Sequence, residues 1–244
     1  MTLSSKGAVT KLKILQAAAD LFHKQGVRAT SPEKIIAASG AGKGQFYHYF
    51  GNKDGLIHEV LLGSVHALEA GTAPISYACD SWADLERCIL THIEFQKQYN
   101  MTRSCPIGTV ANEVTENDNR IRRDLDLIFE CMRHKLVTFL VKEKSEGRMT
   151  AAANADEIAT FCLSMIQGAM LLGRIKKDSS PVVASLEEAV THLKRYAVTP
   201  RGAANERRNG RVRLFPKSLE PGMSIAASTG RARLTSDETR LDRE

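Results

Sequence analysis

The chain has no Cys-x-x-Cys pair; its five cysteines, Cys79, Cys88, Cys105, Cys131 and Cys162, are odd in number and widely spaced. That pattern argues against a disulfide framework and against a zinc site, and it fits a reducing, cytoplasmic setting. No basic stretch leading into an apolar core opens the sequence, so a secretory leader is not expected. The longest apolar run, residues 158–173, is broken by Thr160, Ser164 and Gln167 and is too short to span a bilayer. It reads as a helix buried between partners, with no membrane involved. Strand-like alternation is essentially missing, which leaves an all-α fold.

Catalytic equipment is missing too. No paired carboxylates, nucleophile–base arrangement or metal-ligand spacing occurs, so neither an enzyme, a cofactor nor a metal is expected. The segment S-G-A-G-K-G at 39–44 briefly imitates a phosphate-binding loop, but that pattern needs glycine at 37 and Ser or Thr at 44, where the chain has Ala37 and Gly44. His58-Glu59 starts like a zinc-protease helix, yet position 62 is Leu62 rather than histidine.

With 244 residues, 43% hydrophobic and 25% charged, the chain is long enough to bury a core without staples. Charge is unevenly spread. Residues 1–60 carry 8 Lys and Arg against 4 Asp and Glu, residues 61–199 carry 16 against 18, and residues 200–244 carry 10 against 6. Basic ends around a slightly acidic middle point to termini that meet a polyanion and a middle that meets something else.

Apolar spacing predicts about nine helices. The first runs from about Thr10 to Gln25 with Ile14, Ala18, Leu21 and Phe22 on one face and Gly26 as its stop. Ser31 caps a second helix with Pro32 and Glu33 in its first turn, and Gly40 ends it. A third covers 42–50 and a fourth opens at Asn52. Residues 71–80, with Pro74, read as a linker to a Ser81-capped helix lined by Trp82, Leu85, Ile89 and Ile93. A short helix at 107–113, a long one at 119–146 and two more at 155–175 and 181–197 follow. Three divisions result: residues 1–55 as a helix-turn-helix domain, 56–199 as a helical domain, and 200–244 as a basic disordered tail. The arginines of that tail either touch DNA non-specifically or are simply solvated.

The most telling stretch is 40–56, G-A-G-K-G-Q-F-Y-H-Y-F-G-N-K-D-G-L. A glycine turn joins two helices, and small residues let the second helix approach a phosphate backbone closely. Lys43, Gln45, Tyr47 and His48 project as groove-facing groups while Phe46 and Phe50 pin the helix to the core. Tyr47, His48 and Tyr49 offer donors to phosphate oxygens. Asn52 and Lys53 open the next helix, whose N-terminus favours phosphate. The expected DNA-binding set is Ser31, Lys43, Gly44, Gln45, Tyr47, His48, Tyr49 and Lys53.

From about Leu12 to Leu62 these residues closely resemble the N-terminal domain of the TetR family of bacterial transcriptional repressors. The likeness rests on Gly40, Lys43, Gly44, Phe46, Tyr47, His48, Tyr49, Phe50, Lys53 and Leu56; Gly42 stands where serine is commoner, and Ser31-Pro32-Glu33 replaces a Thr-rich entry. The resemblance implies a homodimer on a palindromic double-stranded operator, released by a small-molecule effector bound in the variable helical domain. The two last helices fit a four-helix dimer bundle, with Ile158, Phe161, Cys162, Met165, Ala169 and Leu172 on one face and Val182, Val183, Leu186, Val190 and Leu193 on the other. Plain core is the competing reading of the same faces.

An effector pocket is expected between the fifth and eighth helices, from His92, Phe95, Gln96, Tyr99, Cys105, Ile107, Val110, Phe129, Met132 and Phe161. The set is mostly apolar with a few polar handles, as small-molecule sites are. Cys105, in R-S-C-P-I-G, is either a thiol activated by a helix start and by Arg103 toward electrophiles, or a small buried residue shaping that start. Control by a protein partner without any ligand is the alternative for the domain as a whole.

Overall fold

The computed structural model describes residues 5–198. Among these, nine helices follow one another: α1 (Ser5–Gln25), α2 (Pro32–Ser39), α3 (Lys43–Phe50), α4 (Lys53–Glu69), α5 (Trp82–Gln98), α6 (Pro106–Ala111), α7 (Asn119–Ser145), α8 (Ala155–Lys176) and α9 (Ser180–Lys194). The only β pairing among the described residues is an isolated bridge between Met149 and Ala197. The all-α expectation therefore holds. The expected tail, 200–244, lies outside the described residues.

The head is built as its sequence dictates. Ile14, Ala18 and Phe22 of α1, Ile35 of α2, and Phe46 and Phe50 of α3 are buried together with Leu56 of α4. The Ser31 hydroxyl accepts the Lys34 N–H at 3.4 Å, Pro32 occupies the first turn, and Gly40 takes φ 66° to end α2. Only a residue without a Cβ adopts that left-handed turn at no cost. At α4, Asn52 accepts the Gly55 N–H at 2.8 Å. Gly55 is required for a different reason: a Cβ there would overlap the Phe50 carbonyl.

The larger helical layer surrounds the rest of the core. α4 packs along α7, α8 along α9 and α7, and α5 against α8 and α9. α4 runs unbroken past residue 55 and packs on both α1 and α7, so the head is joined to the larger layer through one continuous rod. α6, only six residues long, lies against α1.

Two sequence readings change. Residues 71–80 are no open linker: Tyr77 is 6% exposed and packs into the core, so the segment is a strap laid over the helices. The apolar faces of α8 and α9 are mostly internal. Ile158, Cys162, Ala169, Val182, Leu186, Val190 and Leu193 are all buried within the single chain. What α8 leaves outside is Leu171 (42% exposed), Leu172 (45%) and Ile175 (67%), with half-buried Phe161 and Met165 alongside. α8 is long and apolar enough on composition to cross a membrane, but its inner face is already packed on α5, α7 and α9.

Candidate nucleic-acid interface and effector cavity

α3 presents one face to solvent. Lys43, Gly44, Gln45, Tyr47 and His48 are exposed, Tyr49 is half-buried, and Phe46 and Phe50 hold the opposite face inside. The Tyr47 ring stands edge-on to Phe46 at 5.2 Å and the His48 ring edge-on to Tyr49 at 5.3 Å, so the polar tips ride on rings that are themselves held. Gly42 has no side chain to cap α3, but Gln45 reaches back and its Oε1 accepts the Gly42 N–H at 2.9 Å. That bond occupies the oxygen end of Gln45 and leaves its amide nitrogen outward.

Two members of the expected DNA set, Ser31 and Lys53, also make bonds within the head. Ser31 is half-buried and caps α2. Lys53 is also half-buried; its ammonium donates to the Val27 carbonyl at 2.5 Å, fastening α4 to the turn between α1 and α2. Burial lowers the Lys53 pKa, against the pull of Glu113 and Asp54. The residues that α3 turns to solvent are therefore Lys43, Gly44, Gln45, Tyr47 and His48.

Behind the head lies a cavity of about 80 Å³, lined by Ser64, Ala67 and Leu68 of α4, by Ala73, Pro74, Ile75 and Tyr77 of the strap, and by His92, Phe95, Cys105, Pro106, Ile107, Met132 and Met170. It brings together five of the expected pocket residues: His92, Phe95, Cys105, Ile107 and Met132. Val110 is buried elsewhere and Phe129 is half-buried away from the lining. Phe161 tilts onto His192 at 5.1 Å, toward α9. Tyr99 faces Arg103 and His23 instead. Gln96 is fully buried, donates to the Met170 carbonyl at 3.1 Å and leaves its own carbonyl oxygen unpartnered.

Sequence reasoning missed the α4 and strap walls. Ala67 and Ala73 carry no distinctive signal, but the alternation of Ile75 and Tyr77 in the strap was a legible sign of a packed segment.

The cavity's polar groups are largely satisfied among themselves. His92 Nδ1 lies 2.9 Å from the Cys88 carbonyl, which can only accept, so Nδ1 carries the proton and Nε2 accepts the Tyr77 hydroxyl at 3.0 Å. Burial holds the His92 pKa down to about 4, despite the Cys88 and Ile89 carbonyls that favour a proton. Ser64 donates to the Val60 carbonyl at 3.2 Å. The space left suits an apolar occupant.

His23 of α1 joins this cavity to the head. Its ring stacks on Phe95 at 5.8 Å, and its Nε2 donates to the Ser104 carbonyl at 2.8 Å, one residue before Cys105. Its Nδ1 faces the Arg103 guanidinium at 3.3 Å. Burial lowers the His23 pKa to about 4, with the Ser104 carbonyl opposing and Arg103 reinforcing. Arg103, the cation expected beside Cys105, is committed to Asp20 at 2.9 Å and lies over the Tyr99 ring at 4.6 Å. Cys105 itself is buried in the cavity wall.

A three-helix head that exposes one cationic, tyrosine-bearing helix, fixed to a helical body with an internal cavity, defines a class: the helix-turn-helix DNA-binding regulators. Residues 14–60 match the model for bacterial regulatory proteins of the tetR family, and residues 82–188 match the C-terminal domain of LmrA/YxaF-like transcriptional regulators. The chain belongs to the TetR family and is a DNA-binding transcriptional regulator, not an enzyme. It is similar to the uncharacterized HTH-type transcriptional regulator YxaF of Bacillus subtilis, 29% identical over 191 residues that span 76% of this chain and 95% of that one. It is equally similar to the HTH-type transcriptional regulator LmrA of the same species, 29% identical over 175 residues that span 70% and 89%. A TetR-family regulator from Agrobacterium tumefaciens shares the fold with a TM-score of 0.68 at 20% identity, covering 79% of this chain and all (100%) of the other.

Proposed function

We propose that the protein is a cytoplasmic, homodimeric repressor that leaves its palindromic operator when a compact apolar molecule enters the cavity behind α6. Lys43, Gly44, Gln45, Tyr47 and His48 meet the major groove and its phosphates, while Ser31, Tyr49 and Lys53 fix the geometry of the head at its phosphate-facing edge. The observation that carries the reading is the shared wall: Phe95 lines the cavity and also stacks on His23 of α1. An occupant that shifts Phe95 or the Ser104–Cys105 step acts directly on the helix that carries the head. A ligand changes DNA affinity only to the extent that it binds the two head positions differently, and a shared wall supplies that difference.

The small volume favours a second reading. About 80 Å³ is well below the roughly 300 Å³ and more usual for drug-sized ligands, which gives footing to control by a protein partner instead. Filling the cavity separates the two. Ala67→Leu, at a buried wall position, should leave operator binding intact and abolish release by small apolar compounds, read by fluorescence anisotropy on operator duplex. Release that persists unchanged in that variant contradicts a cavity-bound effector.

A further inference from the structure

We infer that the cavity and a second hollow beside it form one site for a short-chain monocarboxylate, its apolar body in the cavity and its carboxylate on Lys135 of α7. The inference names the chemical class of the occupant and rests on the effector reading for its consequence at the operator. The second hollow, of about 20 Å³, lies against the strap. Leu68, Ala73, Ile75 and Tyr77 line both spaces, so one layer of side chains divides them. Gly71, Ser76 and Ala78, which also line the hollow, are exposed and place it at the surface.

α7 connects the two spaces along its length. Met132 walls the cavity and Lys135 walls the hollow. Three positions apart on a helix, they share a face with a rise of roughly 4.5 Å between them. Lys135 is half-buried and makes no hydrogen bond or ion pair among the described residues. A partly desolvated ammonium without a counter-charge is unfavourable, and an anion brought to it removes that cost. Lys135 is also the single permanently charged side chain lining either space, so the combined site is apolar at its inner end and cationic at its outer end.

The dimensions and charges select the class. About 20 Å³ holds a group little larger than one water, which admits a carboxylate and refuses a bulky head. One ammonium matches one negative charge. Glu69 of α4 acts on the same Cys131 thiol as Lys135 does, so a dianion such as a phosphate ester would meet a carboxylate with only one cation to offset it. Inside the cavity Ser64, Tyr77 and His92 already bond within the protein, which leaves the body of the ligand no polar partner there. The strap is anchored on both sides of Ile75, where the Ala67 carbonyl accepts the Thr72 and Ala73 N–H groups at 2.9 and 3.0 Å and where Tyr77 donates to His92. Ile75 itself, half-buried between these anchors, is the part of the dividing layer that yields to the chain.

The test compares hexanoate with hexanol, which has the same chain and no charge, by calorimetric titration of the full-length protein without DNA at neutral pH. Hexanoate should bind about tenfold more tightly than hexanol, as a bond to a partly exposed charged group allows. Lys135→Met keeps the apolar stem and removes the charge; it should bring hexanoate down to the affinity of the alcohol and leave the alcohol unchanged, which also shows that the cavity is intact. Lys135→Arg should restore the preference, and Ala67→Leu should abolish binding of both compounds. Equal affinities for acid and alcohol, no binding of either, or hexanoate binding that survives Lys135→Met or Ala67→Leu overturns the site. Operator release is read separately: hexanoate that binds through Lys135 and leaves operator affinity unchanged upholds the site and contradicts the effector reading.

Discussion

The Glu113 carboxylate, in the turn that follows α6, accepts the backbone N–H of Arg28 at 2.5 Å and so grips the turn between α1 and α2. Lys53 holds the same turn through the Val27 carbonyl. α6 carries Cys105, Pro106 and Ile107 of the cavity wall at its start and this carboxylate just past its end. The helix is short enough that any displacement at one end reaches the other.

Glu113→Ala should therefore loosen the head. A hydrogen bond to a charged group contributes about 1.5–3 kcal/mol, and the exposed position brings the expected loss to the low end of that range, read as a shift in the urea midpoint. Operator affinity should fall less than its response to effector. Gly26→Ala should be worse, because Gly26 has φ +85° and a Cβ there would run into the Glu113 carboxylate.

DNA contacts separate by variant. Tyr47→Ala should weaken binding uniformly across operator sequences, since an exposed phenol on a held ring serves phosphates. Gln45→Glu keeps the acceptor that caps the Gly42 N–H, so α3 stays formed, but places a negative charge toward DNA. It should lose operator binding with an unchanged circular dichroism spectrum. A retained affinity would remove Gln45 from the interface.

Acid should destabilise the fold through two buried histidines. His23 and His92 have folded pKa values lowered from 6.5 to about 4, so the unfolded chain binds protons that the folded chain refuses. Stability is then complete above about pH 6.5 and falls as pH drops toward 4, by roughly 3 kcal/mol for each group at most. Urea midpoints between pH 7 and 4 should decline, and His92→Gln should flatten the slope. A midpoint constant across that window contradicts the assignment of neutral, buried imidazoles.

Ile175 is exposed at 67% beside Leu171 and Leu172, and the proposed homodimer would centre its contact there. Ile175→Asp should shift sedimentation toward monomer without lowering the protomer's own melting temperature, because the side chain touches little of its own core.

How far the chain could be read in advance differs by region. In the head, caps and stops are local signals, so Ser31, Pro32, Gly40 and the span of α3 stand where their chemistry requires. The cavity was half legible. His92, Phe95, Ile107 and Met132 are apolar or aromatic residues at helical spacing, but the opposing wall uses Ala67, Ala73 and a strap whose Gly71 and Pro74 read as a linker. Lys53 illustrates the limit most clearly, because its bond to Val27 spans 26 positions and depends on how α4 docks. The faces of α8 and α9 show the same limit: periodicity identifies an apolar face but not whether its partner is the same chain or a second copy.

The most direct test is hydroxyl-radical footprinting of the full-length protein on duplexes it selects from a random library. Two protected half-sites are predicted, with centres about one helical turn (roughly 34 Å) apart, both lost together in Tyr47→Ala. A single unpaired footprint, or protection that survives removal of Tyr47 and Lys43 together, would contradict a paired regulator that reads DNA with α3.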